Sequence, residues 1–472
     1  MHLLLRVVCL VLLLCSCSIQ TKKLDVTPDL ESSFIDEGQV ELAANWWQSF
    51  DDDKLNELIA IGLESNQSLV SSLARVNSAS AGLTVSQSDK YPDLNLTASS
   101  RNDFDDFDRA DSASVGLTSS WELDLWGRIA SLEQRAVWDV VAKQALYKIR
   151  ANAVAGSIAK AWFGWIAASD KQRLFADQYK RTNSALKVIN RRFALGKNSI
   201  TDIWQQQRLL ESIVAQQAVN DARLAIFTKQ LALWLGVKSS QLPQLTQTSL
   251  PKIPPLPSMG LPLSTLQYRP DIQQAFAELQ ASNATMAAAV TDRFPRITLR
   301  ASYSTNKNNV QDLFDDWSGS LISSLVLPLF DAGAKKAVVK QKEYALEASF
   351  ADYKQTWLDA IYAVESSLIT EQQLAKVATN IDLQMSLAKK TERVISSKYL
   401  NGKASYLTLL KAQETSLNLE RQVVDAQKEL INNRVSLYRE LSHGNFTQDS
   451  AVEQDKEQET NFSAKTIIDE NT

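Results

Sequence analysis

Short stretches of alternating apolar and polar residues occur at four places in the chain. In the first, Leu94, Leu96 and Ala98 are separated by polar residues, and the same period of two recurs over 115–125, 297–303 and 321–329. This period predicts β-strands with one apolar and one polar face. Strands of about ten residues suit a tilted membrane strand with lipid on one side and water on the other.

Long segments without proline carry a different pattern, with apolar residues recurring at intervals of three and four. The segments 128–193 and 334–400 each predict a helix about 100 Å long. Return helices are predicted over 199–235 and 405–441, and shorter helices before the strands over 54–89 and 264–291. The chain is therefore predicted to be a mixed α and β protein.

The order of these elements occurs twice, because the second half of the chain repeats the first. "DKYPDLNLTASS" at 89–100 matches "DRFPRITLRASY" at 292–303, and "RRFALGKNSITDIWQQQ" at 191–207 matches "SKYLNGKASYLTLLKAQ" at 397–413. The predicted division is a signal peptide (1–16), a lipidated segment (17–50), a first repeat (51–235), a proline-rich linker (236–263), a second repeat (264–441) and an acidic, disordered tail (442–472).

Each long helix is followed by a turn that contains a Gly-Lys pair. Gly196 and Gly402 are predicted to take the left-handed conformation that ends a helix, and Ser199 and Ser405 to cap the helix that follows. The two repeats therefore predict two hairpin tips of the same construction.

The N-terminus has the features of a secretory signal. Arg6 precedes an apolar run that is too short to span a membrane. The run ends in Leu14-Cys15-Ser16-Cys17, which resembles a bacterial lipobox and predicts lipid attachment at Cys17; the alternative is an ordinary signal peptide with incidental cysteines. Ser18 follows, where an aspartate would resemble the signal for retention in the inner membrane, so delivery to the outer membrane is expected.

Composition narrows the possible functions. The net charge of −4 over 472 residues makes nucleic acid an unexpected partner. The chain has two histidines, and its three cysteines all lie within the first seventeen residues. These counts argue against most metal sites and against Ser/His or Cys/His catalysis, so we expect no cofactor, no metal and no enzymatic activity.

Five motifs together resemble the outer-membrane efflux lipoproteins of the TolC superfamily, of the OprM-like or NodT-like type. They are "WWQSFDDDKLNELI", "SSWELDLWGR", "YRPDI", "DRFPRITL" and "NGKASYLTLLKAQ". The resemblance implies a homotrimer in which four strands per chain contribute to a 12-stranded outer-membrane β-barrel and the long helices form a periplasmic α-helical barrel. It also implies that the chain is the exit duct of a tripartite efflux pump.

The resemblance assigns partners to the hairpin tips. These are a periplasmic adaptor protein and an inner-membrane transporter, expected to be of the RND type, while outer-membrane lipid surrounds the barrel. The adaptor contacts that the resemblance implies are the turn residues Leu195, Gly196, Lys197, Ser199, Asn401, Gly402, Lys403 and Ser405.

The residues after the second turn depart from the family pattern. Relatives commonly read Leu-Leu-Asp-Ala-Gln-Arg, whereas this chain reads "LLKAQE", which exchanges the signs at Lys411 and Glu414. Two interpretations are open: an ordinary surface ion pair, or an aperture in which Glu414 or Asp202 bridges between chains and Tyr406 with Leu407 forms an apolar constriction.

Other functions share part of these features. A type I secretion exit duct shares the architecture, a passive porin shares the strands without needing the long helices, and a coiled-coil scaffold or adhesin shares the helices without the two-faced strands. The sequence favours the efflux duct and leaves the exported substrate open.

Overall fold

A computed structural model describes residues 45–101, 112–246, 249–256, 266–307 and 312–442. The predicted signal peptide, Cys17 and the tail from residue 443 lie outside the described residues, as do parts of the linker. The predicted division into segments therefore stays a prediction.

The same order of helices and strands occurs twice in the described chain, except that two helices precede the strands in the first copy and one helix precedes them in the second. After a short 3-10 helix (Trp46–Phe50), the first copy comprises α1 (Asp53–Ser65), α2 (Gln67–Ser88), β1 (Asn95–Arg101), β2 (Ser112–Leu123), α3 (Arg128–Ala194) and α4 (Ile200–Leu235). The second comprises α5 (Pro270–Thr291), β3 (Arg296–Lys307), β4 (Ser318–Val326), α6 (Ala334–Leu400) and α7 (Tyr406–Leu441). The predicted duplication and the four strands are confirmed.

Several predicted ends shift by a few residues, for local reasons. Ser199 and Ser405 lie outside the return helices, because each serine side chain caps the helix from the preceding position. β2 ends at Leu123 rather than at residue 125, since the Asp124 carboxylate accepts the backbone N–H of Ala130 at the start of α3 (2.7 Å). The predicted helix over 54–89 is divided at Asn66, whose carboxamide donates to the carbonyl of Trp234 (2.7 Å).

The chain divides into two compact units, and the strands belong to the unit that holds residues 72–146 and 271–357. The sheet is antiparallel in the order β1-β2-β3-β4. Leu96 lies opposite Leu117, and Leu117 lies opposite Tyr303, so apolar residues of neighbouring strands share a face. On the other face serine hydroxyls form hydrogen bonds between strands: Ser99 with Ser114 (2.7 Å) and Ser302 with Ser320 (2.8 Å). The alternation predicted two faces, and the register aligns them across all four strands.

The main hydrophobic core lies in the second unit, which holds residues 45–71, 147–246, 249–256, 266–270 and 358–442 of the described chain. The Trp46 indole donates to Asn152 (3.0 Å), and the Trp162 indole donates to Asp52 (2.8 Å). The second carboxylate oxygen of Asp52 accepts the N–H of Leu55 and caps α1. The "WWQSF" motif therefore attaches the start of the chain to the middle of α3.

The described helices include none that is both long enough and apolar enough to be a membrane span.

Candidate functional site

The first hairpin tip is a turn between α3 and α4. Gly196 has φ of 71°, and the N–H of Lys197 donates to the carbonyl of Arg192 (2.8 Å). An L-residue is strained at that φ, which explains the glycine. Ser199 then caps α4, and the Asp202 carboxylate accepts the Ser199 N–H (3.0 Å) to complete a capping box.

The second tip, between α6 and α7, has the same geometry. Gly402 also has φ of 71°, and the Lys403 N–H donates to the carbonyl of Lys398 (2.8 Å). Ser405 caps α7 by accepting the N–H of Thr408. The repeated sequence therefore produces two turns of one conformation.

Asn198 holds the two tips side by side. Its Oδ1 accepts hydrogen bonds from the Tyr399 hydroxyl (2.8 Å) and from Arg192 Nε (2.9 Å). The Arg192 guanidinium also lies 4.8 Å from the centre of the Tyr399 ring. Sequence reasoning missed this contact: the two residues lie in the repeated turn sequences, but they are 201 residues apart and the repeat does not show which side chains meet.

The residues of both turns are exposed. Leu195 is 70% exposed, and Lys197 of the first tip and Lys403 of the second are exposed and positively charged. The other predicted contacts, Gly196, Ser199, Asn401, Gly402 and Ser405, are exposed as well. Exposed turns that carry an apolar side chain and positive charges are a surface that another protein can contact.

The predicted aperture residues separate into buried and exposed groups. Tyr406 packs into a hydrophobic cluster at the base of the tips, and its hydroxyl donates to Gln206 (2.5 Å). Burial, with the nearby Asp202 carboxylate, raises the pKa of the Tyr406 hydroxyl. Within one chain Leu407 is exposed and Tyr406 is buried, and the apolar constriction that the two residues would form between copies stays a prediction.

Of the two interpretations of Lys411 and Glu414, the surface ion pair between them does not form in the described chain, and the aperture stays a prediction. Glu414 instead accepts a hydrogen bond from Arg208 of α4 (2.6 Å). Within the described residues Lys411 has no ionic partner; it lines an open groove with Leu407 on α7 and with Ile395 of α6. Asp202 is engaged in its capping box.

A polar cluster further along the helices holds α7 against α3. Glu420 accepts hydrogen bonds from Arg181 (2.7 Å) and from Gln178 (2.9 Å), and Lys389 of α6 lies 3.2 Å away. Burial opposes ionisation of this carboxylate, but the bonds from Arg181 and Gln178 outweigh it and hold the pKa of Glu420 below its ordinary value. Lys171 of α3 pairs with Asp425 one turn further on (2.5 Å).

No group of three or more His, Cys, Asp or Glu is placed to hold a metal ion in the part of the chain that the structure describes. The site consists of exposed turns, a hydrophobic base and a polar junction between helices. Such an arrangement suits protein contact and helix movement.

Comparison with known proteins adds evidence from outside the chain. A model of the outer membrane efflux protein family matches residues 58–237 and 261–443. The solvent efflux pump outer membrane protein SrpC of Pseudomonas putida is 30% identical over 413 residues, which cover 84% of this chain and 86% of SrpC. The cation efflux system protein CusC of Escherichia coli O157:H7 is 26% identical over 409 residues, covering 85% of this chain and 88% of CusC.

The fold also matches solved structures. The outer-membrane channel OprN superposes with a TM-score of 0.83 at 23% identity, covering 90% of this chain and 99% of that one. The predicted fold class is confirmed by this likeness.

Proposed function

Since this chain is a member of the outer membrane efflux protein family, we propose that three copies of it form the exit duct of a tripartite efflux pump. The protein acts in efflux at the outer membrane. In this proposal the duct carries drugs or other small molecules out of the cell, binds no cofactor and catalyses no reaction.

The observation that carries the proposal is the register of the sheet. Leu96, Leu117 and Tyr303 are exposed on one face, and serine hydroxyls pair on the other. β1 and β4 form the two edges of the sheet, and open edges cannot remain in hydrocarbon. Three copies supply about twelve strands, enough to close a wide barrel with the serine face towards water.

The helical hairpins account for the partners. Their tips carry an exposed leucine and two lysines on turns fixed by capping bonds, a preformed surface for a periplasmic adaptor protein. The adaptor in turn connects the duct to an inner-membrane transporter, which we propose is of the RND type. Lipid attachment at Cys17 gives a second membrane anchor in this proposal.

Co-purification tests this function. The detergent-solubilised protein should be a trimer by light scattering, and it should retain an adaptor encoded beside its own gene. The matched control carries Lys197→Glu and Lys403→Glu, which reverse the exposed tip charges without disturbing a capping bond. A wild-type trimer that binds no adaptor would favour a passive pore, and a monomer with intact strands would refute the duct.

A further inference from the structure

The long hairpins of the two repeats match residue for residue. α3 and α6 have 67 residues each, and α4 and α7 have 36 each. Arg208 and Glu414, which are counterparts in the two repeats, are 206 residues apart. The same offset therefore relates every position of the first hairpin to one position of the second.

Polar contacts join the two hairpins inside one chain. Besides the Lys171–Asp425 and Arg181–Glu420 ion pairs, the Asn152 carboxamide of α3 donates to the carbonyl of Arg439 of α7 (2.8 Å). All three contacts run from α3 to α7.

In a closed ring of three copies, the second hairpin also has a neighbour on its other side, namely the first hairpin of the next copy. If the duplicated hairpins repeat their packing around the ring, each α3-to-α7 contact has a counterpart from α6 of one copy to α4 of the next. The offset then identifies the residues that meet there. This step rests on the trimer of the proposed function.

The offset changes the chemistry of the three contacts. It replaces Lys171 and Asp425 by Val377 and Val219, Arg181 and Glu420 by Leu387 and Val214, and Asn152 and Arg439 by Leu358 and Leu233. All six replacements are apolar, and their exposed fractions lie between 41% and 70%.

Two other contacts complete the comparison. Lys160 donates to Ser436 within the chain, and the offset places the uncharged Ser366 and Gln230 in their positions. Arg208 and Glu414 are themselves one offset apart. The offset therefore exchanges the two residues and predicts the same pairing between copies.

We propose that α4 of one copy packs against α6 of the next copy along an apolar seam formed by Val214, Val219 and Leu233 on α4 and by Leu358, Val377 and Leu387 on α6. Burial of exposed apolar side chains stabilises this seam. At these three points the junction inside each chain is ionic or polar, whereas the seam between chains is apolar. Salt and pH should therefore act more strongly on the contacts inside the chain at these points than on the seam.

Cysteine pairs test the seam. Val219→Cys with Val377→Cys should give covalent dimers and trimers when outer membranes are treated with a bis-maleimide that spans adjacent helices, because the two thiols face each other between copies. The control is the counterpart pair, Lys171→Cys with Asp425→Cys, which should cross-link within one chain and stay monomeric on a non-reducing gel. The native cysteines all lie within the first seventeen residues, so wild type gives the background.

Co-expression of differently tagged chains, one with Val219→Cys and the other with Val377→Cys, should give only dimers that carry both tags. If the first double variant does not assemble, Leu233→Cys with Leu358→Cys probes the same seam at another point. Cross-linking within one chain, cross-linking to a different protein, or no dimer in a preparation that light scattering shows to be trimeric would overturn the seam. A monomeric wild-type protein would instead overturn the trimer.

Charged residues introduced into the seam provide a second, independent test. Val219→Asp should lower the temperature at which the trimer dissociates, because the carboxylate is buried without a partner. Adding Val377→Lys copies the in-chain pair into the seam and should restore much of that temperature. No effect of Val219→Asp, or no rescue by the second change, would count against the packing.

Discussion

Glu420 contacts three polar side chains at the junction between the hairpins, Gln178, Arg181 and Lys389. Its side chain is 7% exposed and accepts hydrogen bonds from Gln178, which is fully buried, and from Arg181, which is about half exposed. Glu420→Gln keeps the shape of the side chain and removes its charge. We expect the junction to weaken while the helices themselves remain folded.

The magnitude follows from these bonds. A hydrogen bond to a charged group contributes about 1.5–3 kcal/mol and a neutral one about 0.5–1.5 kcal/mol. Because Arg181 and Lys389 are partly solvated, their share is discounted. A net loss of about 2 kcal/mol corresponds to roughly a thirty-fold increase in local opening.

Amide hydrogen exchange of the detergent-solubilised trimer measures that opening. Peptides from 171–190 and 409–425 should exchange roughly thirty-fold faster in Glu420→Gln, with strand peptides unchanged. Glu429→Gln is the matched control on the same helix, since Glu429 is 54% exposed and pairs only with its neighbour Lys428. Exchange within about two-fold of wild type at the junction would refute the reasoning.

The pH dependence has a definite sign. The pKa of Glu420 is lower in the folded protein than in the unfolded chain, so its contribution is present above the unfolded value of about 4.3. That contribution is lost as the pH falls through the folded value. Exchange at the junction, corrected for the intrinsic rate, should therefore rise below about pH 4 in wild type and not in Glu420→Gln. An equal rise in both proteins would assign the effect to other carboxylates.

The remaining predictions concern the tips and the anchor. Gly196→Pro or Gly402→Pro should leave the trimer intact but abolish export in a susceptibility assay, because proline cannot take the positive φ of the turn; full export would argue against docking through the tips. Tyr399→Phe should raise amide exchange at both tips about five-fold, the equivalent of about 1 kcal/mol, since Asn198 loses one donor; unchanged exchange would remove the tie between the tips. Cys17→Ser should abolish palmitate incorporation while the strands still insert; labelling that persists would refute the lipobox.

The strands and long helices were predictable because their signals are local. The period-two alternation at Leu94, Leu96 and Ala98 reflects a strand with one face in apolar surroundings, and it can be recognised from neighbouring residues alone. The tip turns were predictable for the same reason, since Gly196 and Gly402 each satisfy a backbone requirement set by the adjacent helix. Duplication strengthened both predictions by presenting each signal twice.

The contacts between hairpins were not predictable from local signals. Gln178 and Glu420 are 242 residues apart, and nothing in the pattern around either one identifies its partner. The repeat does contain one further signal, a difference in residue type between equivalent positions of the two hairpins. Charged residues such as Lys171 and Asp425 stand where the other hairpin has valines, and this asymmetry is the basis of the seam that we propose between copies.

The pairing of Glu414 illustrates how tertiary packing overrides helix spacing. Residues three apart on a helix share a face, and that proximity favoured Lys411 as the partner. The packing of α4 against α7 brings Arg208 within 2.6 Å instead, and a guanidinium presents several donors to a carboxylate where an ammonium acts as a point charge. Lys411 therefore lines the open groove beside Leu407 without an ionic partner among the described residues. Glu414, its acidic neighbour, is paired with Arg208 within the chain, so it does not offset the lysine in this groove.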